Sequence, residues 1–254
     1  RAGGRVTFVA RLGADGFGDR ALANFEADGI DARFVLRSGD TPSGIALITV
    51  DKRGENTISV ASGANALLTA PDIERAGEAF AAADIVLLQL ESPLEAVAAA
   101  VRMAAKARVP VLLNPAPARP LDDAILRGVA VMTPNEHEAE LLAGVPVRDE
   151  KGAREAAARL RARGPAAVIV TLGERGAYVS FREFEGLVPA FKVVPVDTTA
   201  AGDVFNGALA VALAEKRPLA EAVRFAQAAA AICVTHPGAQ PSAPIRAEIL
   251  AFLR

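Results

Sequence analysis

The run Ile85-Val86-Leu87-Leu88-Gln89-Leu90 ends at the polar Glu91 and opens a series. A helical stretch from Pro93 to Ala107 leads to Val111-Leu112-Leu113-Asn114, and a short helix near Asp122 to Arg127 leads to Val129-Ala130-Val131-Met132-Thr133. Helices from Glu136 to Leu142 and from Ala153 to Arg163 then precede Ala167-Val168-Ile169-Val170-Thr171. Near-continuous apolar runs of this length read as strands buried on both faces. Their alternation with helices predicts a parallel sheet covered on either side, an α/β fold. Ligands of such sheets bind beyond the carboxyl ends of the strands. Glu91, Asn114, Asn135 and Thr171-Leu172-Gly173 all fall at such ends.

Upstream, a helix is expected from Ile73 to Ala82, and Val6 to Ala10 reads as a buried strand. A glycine-rich turn from Arg11 to Asp19 follows, with Asp19 as candidate cap of a helix from Arg20 to Asp28; Phe34-Val35-Leu36 begins another strand. Gly44 to Val50 and Thr57 to Val60 flank the polar turn Asp51 to Asn56, which predicts a β-hairpin outside the alternation, a lid or an edge attachment. Downstream, Ala177 to Phe181 and Gly186 to Val196 look antiparallel, and two long Ala-rich helices close the chain.

Bulk properties narrow the classes. The 254 residues fit one large α/β domain or one domain with a small appendage, and the 52% apolar content is dominated by Ala, Val and Leu, with no Trp and one Tyr. A net charge of -2 gives no basic footprint for nucleic acid or an anionic membrane. With Cys233 alone, no internal disulfide framework exists. No run approaches a membrane span, and Arg1 to Arg5 is not a signal peptide, so a cytoplasmic protein is the default expectation. A strand almost at once, with no initiator Met, points to sequence lost upstream.

The strongest chemical signal is Asp197-Thr198-Thr199-Ala200-Ala201-Gly202-Asp203, followed by the helical Val204-Phe205-Asn206-Gly207-Ala208-Leu209. Small residues before a helix let its free N–H groups approach an anion, above all a phosphate. The dipole keeps a carboxylate at Asp203 ionised, and beside a phosphate such a group needs a task. Taking a proton from an attacking hydroxyl is one. The other reading leaves Asp203 as a helix cap and the alanines as packing.

This segment resembles the C-terminal signature of the ribokinase-like carbohydrate kinase family. Gln89 to Glu95, Leu113 to Arg119, Thr133 to Glu136, and Ala228 to Ile232 with Gly238 to Ser242 are similar to the same family, and the resemblance runs from Arg1 to Arg254. It implies a three-layer αβα sandwich with a mostly parallel sheet and a small, partly missing β-lid. The chain would form one kinase domain over 1–254, with residues 34–60 contributing to the lid. The implied activity is ATP-dependent phosphorylation of a pentose hydroxyl, D-ribose to D-ribose 5-phosphate foremost.

The same resemblance implies roles for single residues. Asp203 matches the general base and a sugar contact, and the N–H groups of Ala200, Ala201, Gly202 and Asp203 an anion hole. Asn135 and Glu138 match an Asn-x-x-Glu motif that organises Mg²⁺ and phosphate through water. On its own Glu138 reads as an exposed helix carboxylate. Thr171, Leu172, Gly173, Glu174, Arg175 and Gly176 match the nucleotide loop, and Gln227 stands near the adenine pocket or is a helix-surface glutamine. Asp197, Thr199, Cys233, His236, Gly238 and Ser242 match a monovalent-cation site, usually for K⁺, built mostly of backbone carbonyls. Cys233 also reads as a small buried apolar residue, and His236 and His137 as loop and surface residues. Glu91 matches a sugar-contacting glutamate or is a helix N-terminal charge. The hairpin would cover the sugar, exclude water and mediate a homodimer.

The family opens with a strand carrying an Asn and an Asp for the sugar, then a Gly-Gly-Lys-Gly-Ala-Asn segment. Neither is here, and Arg1 would fall inside the helix that follows. Another sugar or nucleoside kinase of the family, or a non-catalytic nucleotide-binding protein, therefore stays open. A dinucleotide-binding dehydrogenase is set aside, because Gly13, Gly16 and Gly18 lack the required spacing.

Overall fold

The computed structural model describes residues 1–50 and 56–254, so most of the hairpin turn expected at Asp51 to Asn56 lies outside the described residues. They divide into two compact units. One comprises Arg5–Ala79 with Glu91–Ala100, the other Arg1–Gly4, Phe80–Leu90 and Val101–Arg254.

The first unit opens with β1 (Thr7–Gly13), α1 (Gly16–Ala27) and β2 (Asp31–Ser38). β1 and β2 pair parallel as a two-stranded sheet of their own. The expectation of a buried strand at Val6 to Ala10 fails here: Val6 is 47% and Phe8 40% exposed. β2, the 3-10 turn Gly63–Leu67 and α1 cover part of β1, with Phe8 edge-on to Phe25 of α1 at 5.2 Å. The cap of α1 is Asp15 rather than Asp19, because Asp15 is extended (φ -137°) and its carboxylate reaches the Gly18 amide at 2.8 Å. That amide, with the Ser43 amide and hydroxyl, lowers the Asp15 carboxyl to about 2. Asp19 pairs with Arg37 instead, at 2.7 Å. β3 (Ile45–Val50) and β4 (Asn56–Ala61) form the expected antiparallel hairpin, in register from Ile45–Ala61 to Val50–Asn56. The single helix expected over 73–82 is two, α2 (Ala70–Arg75) and α3 (Gly77–Ala82), broken at Ala76 just before a glycine of low helix propensity. α2 starts with a capping box of Thr69 and Asp72, and the buried Asp72 also pairs with Arg11 of β1 at 2.7 Å.

The second unit carries the predicted alternation. Its elements are β5 (Val86–Leu88), the second half of α4 (Leu94–Ala107, whose residues up to Ala100 belong to the first unit), β6 (Val111–Leu113), α5 (Asp123–Leu126), β7 (Val131–Met132), α6 (Glu136–Ala143), α7 (Glu150–Ala162) and β8 (Ala167–Thr171). Then follow β9 (Ala177–Phe181), β10 (Phe184–Val188), α8 (Ala201–Ala214), α9 (Leu219–Cys233) and a short α10 (Arg246–Phe252) that the sequence pattern did not show. The sheet order is β10-β9-β8-β7-β6-β5, with β5 to β8 parallel and β9 and β10 antiparallel at the edge.

Side-chain alternation along β9 makes the layers. Ala177 and Val179 join Leu112, Ile169, Phe205, Leu209, Phe225 and Ile249 in one buried cluster under α8 and α9. Tyr178 and Ser180 point the other way, where they bond Arg154 and Arg161 of α7. Helices thus lie on both faces of a mostly parallel sheet, the three-layer α/β arrangement expected. Ala153, Ala156 and Ala157 let α7 sit close on its face, which is why the chain needs so many alanines.

Residues 1–6 form no helix, although the resemblance placed Arg1 inside one. The Arg1 guanidinium donates to the carbonyls of Gln240, Pro241 and Ala243, and the Arg246 amide donates to the Arg1 carbonyl at 2.9 Å. Among the described residues no helix is long and apolar enough to cross a membrane.

Gly176, at φ 109°, holds the β8–β9 turn against the exit of β10. A Cβ there would lie 2.2 Å from the Val188 carbonyl oxygen. Gly176→Ala is expected to lower stability by about 2 kcal/mol or more, from strain and clash together. Urea unfolding checks it, as a lowered midpoint at unchanged m.

Candidate active site

The start of α8 is unusual. Its N-cap residue, Ala200, is left-handed at φ 61° and ψ 8°, a conformation that costs a non-glycine residue roughly 1 kcal/mol. As an alanine, Ala200 brings no side-chain hydrogen bond to the helix start. The Ala201 amide reaches the Thr198 carbonyl at 3.3 Å and the Val204 amide the Ala200 carbonyl at 2.9 Å. Helix geometry leaves the Gly202 amide, in the first turn, without an intrahelical carbonyl. A Cβ on Gly202 would meet no described atom within 4 Å, so packing does not demand glycine there; the space in front of the turn is open. Asp203 is exposed in this first turn. An open helix start with a strained residue behind it suits an anion.

Asp197 ties this start to the loop after α9. Its carboxylate accepts from the Thr199 amide at 2.9 Å and the Gly238 amide at 2.8 Å. The Thr199 hydroxyl, then those two amides, hold its carboxyl below the usual range. Cys233 Sγ lies 3.1 Å from Ser242 Oγ and 3.8 Å from the Thr199 carbonyl oxygen. Ser242 Oγ in turn donates to the Ala239 carbonyl at 2.6 Å. His236 is exposed, with Nδ1 3.0 Å from the Ile232 carbonyl oxygen. Asp197 and Thr199 thus adjoin the end of α9 at Cys233 and the following segment with His236, Gly238 and Ser242. Burial pushes the Cys233 thiol up, and Asp197 and Asp203 push it further, so it stays a neutral thiol and no thiolate ligand. With both Asp197 oxygens engaged by amides, a hard cation would be left mainly carbonyl ligands. Among the described residues no three His, Cys, Asp or Glu gather as a metal-ligand set.

A second segment bears Asn135 and Glu138. Asn135 Oδ1 accepts from the Glu138 amide and Glu138 Oε2 from the Asn135 amide, each at 2.8 Å, so the two cap α6 reciprocally. Glu138 is only 6% exposed, not the exposed carboxylate it resembles in isolation. Burial pushes its carboxyl up against the opposing pull of the Asn135 amide, and a nearby divalent cation would favour the ionised form. The residues fit Mg²⁺ held with water and nucleotide oxygens.

Asn135 bridges Thr171 in parallel, which joins this segment to the loop Thr171 to Gly176. Arg175 there ion-pairs with Glu136 and donates to the Arg148 carbonyl at 3.0 Å. Gly173, at φ 56°, faces open space, whereas Gly176 is explained by its contact with Val188. The same Val188 carbonyl accepts from Gln227 Nε2 at 2.8 Å. Gln227 is buried, no helix-surface residue, and its Oε1 has no partner among the described residues. A buried acceptor in that state costs about 1–3 kcal/mol and suits a ligand N–H.

Sequence reasoning gave no role to Thr133 and Asn206, which the structure joins by a 2.6 Å hydrogen bond from the Thr133 hydroxyl to Asn206 Oδ1. Asn206 Nδ2 donates to the Gly202 carbonyl at 2.8 Å. A lone Asn on a helix whose neighbours are apolar was the available signal. Glu91 is exposed and belongs to the other unit.

A family model described as "pfkB family carbohydrate kinase" matches residues 1–246. A ribokinase of Haemophilus influenzae is 43% identical over 253 residues, covering 100% of this chain and 83% of that protein. A deoxyribokinase of Salmonella typhimurium is 39% identical, covering 94% of this chain and 79% of that one. The solved structure of an Arabidopsis thaliana ribokinase complexed with ribose and ATP superposes with a TM-score of 0.86 at 32% identity, over 98% of this chain and 82% of that chain.

Asp197 supplies a pH test. Its lowered carboxyl contributes stability that is full above the ordinary aspartate range and is lost as pH falls through the folded value. Melting curves of wild type and Asp197→Asn should differ at neutral pH and converge below about pH 4. A constant gap across that range contradicts the assignment.

Proposed function

The chain belongs to the pfkB family of carbohydrate kinases, and from that premise we propose that it phosphorylates the primary hydroxyl of a pentose, D-ribose foremost, with ATP as donor. The observation that carries this reading is the strained start of α8 with Asp203 in its first turn.

Asp203 takes the proton of the sugar hydroxyl as that oxygen attacks the γ-phosphorus in line. The bond from phosphorus to the bridging oxygen of ADP breaks, and ADP leaves with the electron pair. Charge on the transferred phosphoryl oxygens faces the N–H groups of Ala200, Ala201, Gly202 and Asp203, whose helix-start geometry needs no reorganisation. Asn135 and Glu138 would hold Mg²⁺ through water, and the ion would neutralise charge on the β- and γ-phosphates. Thr171 to Gly176 line the nucleotide, with Gln227 Oε1 accepting from the adenine amine. K⁺ would rest on carbonyls of the segments that carry Asp197, Thr199, Cys233, His236, Gly238 and Ser242, beside the anion hole. Glu91 accepts from sugar hydroxyls.

We read residues 1–254 as one kinase domain in the cytoplasm, with residues 34–60 contributing to its lid. Leu47 and Val60, 66% and 59% exposed, make the β3–β4 hairpin the element through which two copies pair.

Asp203→Asn should lower kcat for ribose-dependent ADP release by about a thousandfold while MgATP binding is unchanged by calorimetry. Turnover retained in that variant removes Asp203 from the base role. Parallel assays with 2-deoxyribose separate the two pentoses. Exchanging K⁺ for tetramethylammonium should lower turnover several-fold and adding K⁺ back should restore it; indifference to the cation removes the K⁺ assignment.

A further inference from the structure

We propose that Thr133 and Asn206 are positioning residues that fix the start of α8 relative to the segment bearing Asn135 and Glu138. The inference rests on the reading of α8 as the phosphoryl-handling helix and names what holds it in place.

Thr133 is 1% and Asn206 4% exposed. Three bonds immobilise Thr133. Its amide donates to the Leu113 carbonyl at 3.0 Å, its carbonyl accepts from Asn114 Nδ2 at 3.0 Å, and its hydroxyl donates to Asn206 Oδ1 at 2.6 Å. A second acceptor for that hydroxyl, the Leu113 carbonyl, is farther, at 3.4 Å. The Asn206 amide is oriented without ambiguity, because Nδ2 faces the Gly202 carbonyl at 2.8 Å and Oδ1 faces a hydroxyl. Gly202 is the residue whose amide opens toward the candidate phosphoryl position. On the other side, Pro134 separates Thr133 from Asn135 and limits backbone freedom between them. One side-chain pair therefore joins the two segments assigned to the triphosphate and its metal.

Stability alone does not call for this pair. Apolar groups of the same shape would fill the space at little or no cost. A hydroxyl–amide pair fixes distance and angle, which an apolar contact does not. A misplacement of about 1 Å at a reacting centre can cost about a hundredfold in rate.

Thr133→Val removes the donor and keeps the shape. We expect its kcat for ribose-dependent ADP release to fall about ten- to a hundredfold, with KM for ATP changed less than about threefold. Thr133→Ser, which retains the hydroxyl, should recover most of kcat. The double variant T133V/N206L should be no slower than N206L alone, since N206L already removes the bond that T133V breaks. Wild-type kcat in T133V, or equal losses in T133V and T133S, overturns the proposal. Should T133V not melt cooperatively, T133A leaves a small void in place of an apolar group, and wild-type kcat there overturns it equally. Asp203→Asn assayed alongside separates the two ideas. Turnover surviving in D203N removes the reading of α8, whereas turnover lost in D203N but intact in T133V removes only the positioning role.

Discussion

Every α-helix begins with backbone donors that its own carbonyls cannot reach, and most proteins silence them with a side-chain cap. At the start of α8 the chain instead places Ala200, which has no side-chain group to donate or accept, in a left-handed conformation, then Gly202 against open space. The surrounding structure follows from keeping that start open. Asp197 secures the approach by bonding Thr199 and Gly238. Asn206 secures the far side of the first turn through the Gly202 carbonyl. The buried cluster of Phe205, Leu209 and Phe225 then anchors the helix on the sheet, so that the strained turn is carried by packing.

Much of the fold was legible because the parallel strands are short apolar runs with nowhere to go except a covered sheet. β6 and β8 appear within a residue of where the pattern put them, and the hairpin β3–β4 likewise. Misreadings came where tertiary context overrides local pattern. Val6 to Ala10 has the composition of a core strand, yet its neighbours leave Val6 and Phe8 exposed. Asp15 and Asp19 are both plausible caps four residues apart, and only the extended backbone at Asp15 decides between them. Helix α10 is too short for a periodic signal.

The site divides in the same way. The contiguous Asp197 to Asp203 and the Asn135–Glu138 pair could be singled out because each is local in sequence. Burial of Glu138 and Gln227 was hidden, since a polar residue on a helix gives no sign of which face it occupies. Most hidden was the Thr133–Asn206 bond, whose partners are 73 residues apart. Its acceptor lies in a helix whose other inward residues are apolar.

The unit that holds the sheet contains residues from both ends of the chain. Arg1 lies against Gln240 to Ala243, and Arg246 donates to both Arg1 and Ala2. By contrast, Arg5–Ala79 is nearly all of the other unit. A ribosome delivers the chain in order, so the unit with local contacts can close early while the sheet cannot. β5 to β8 emerge long before α8, α9 and α10, which cover one of their faces. That face stays uncovered until α8, α9 and α10 are made, so an apolar sheet emerges well before the helices that close it.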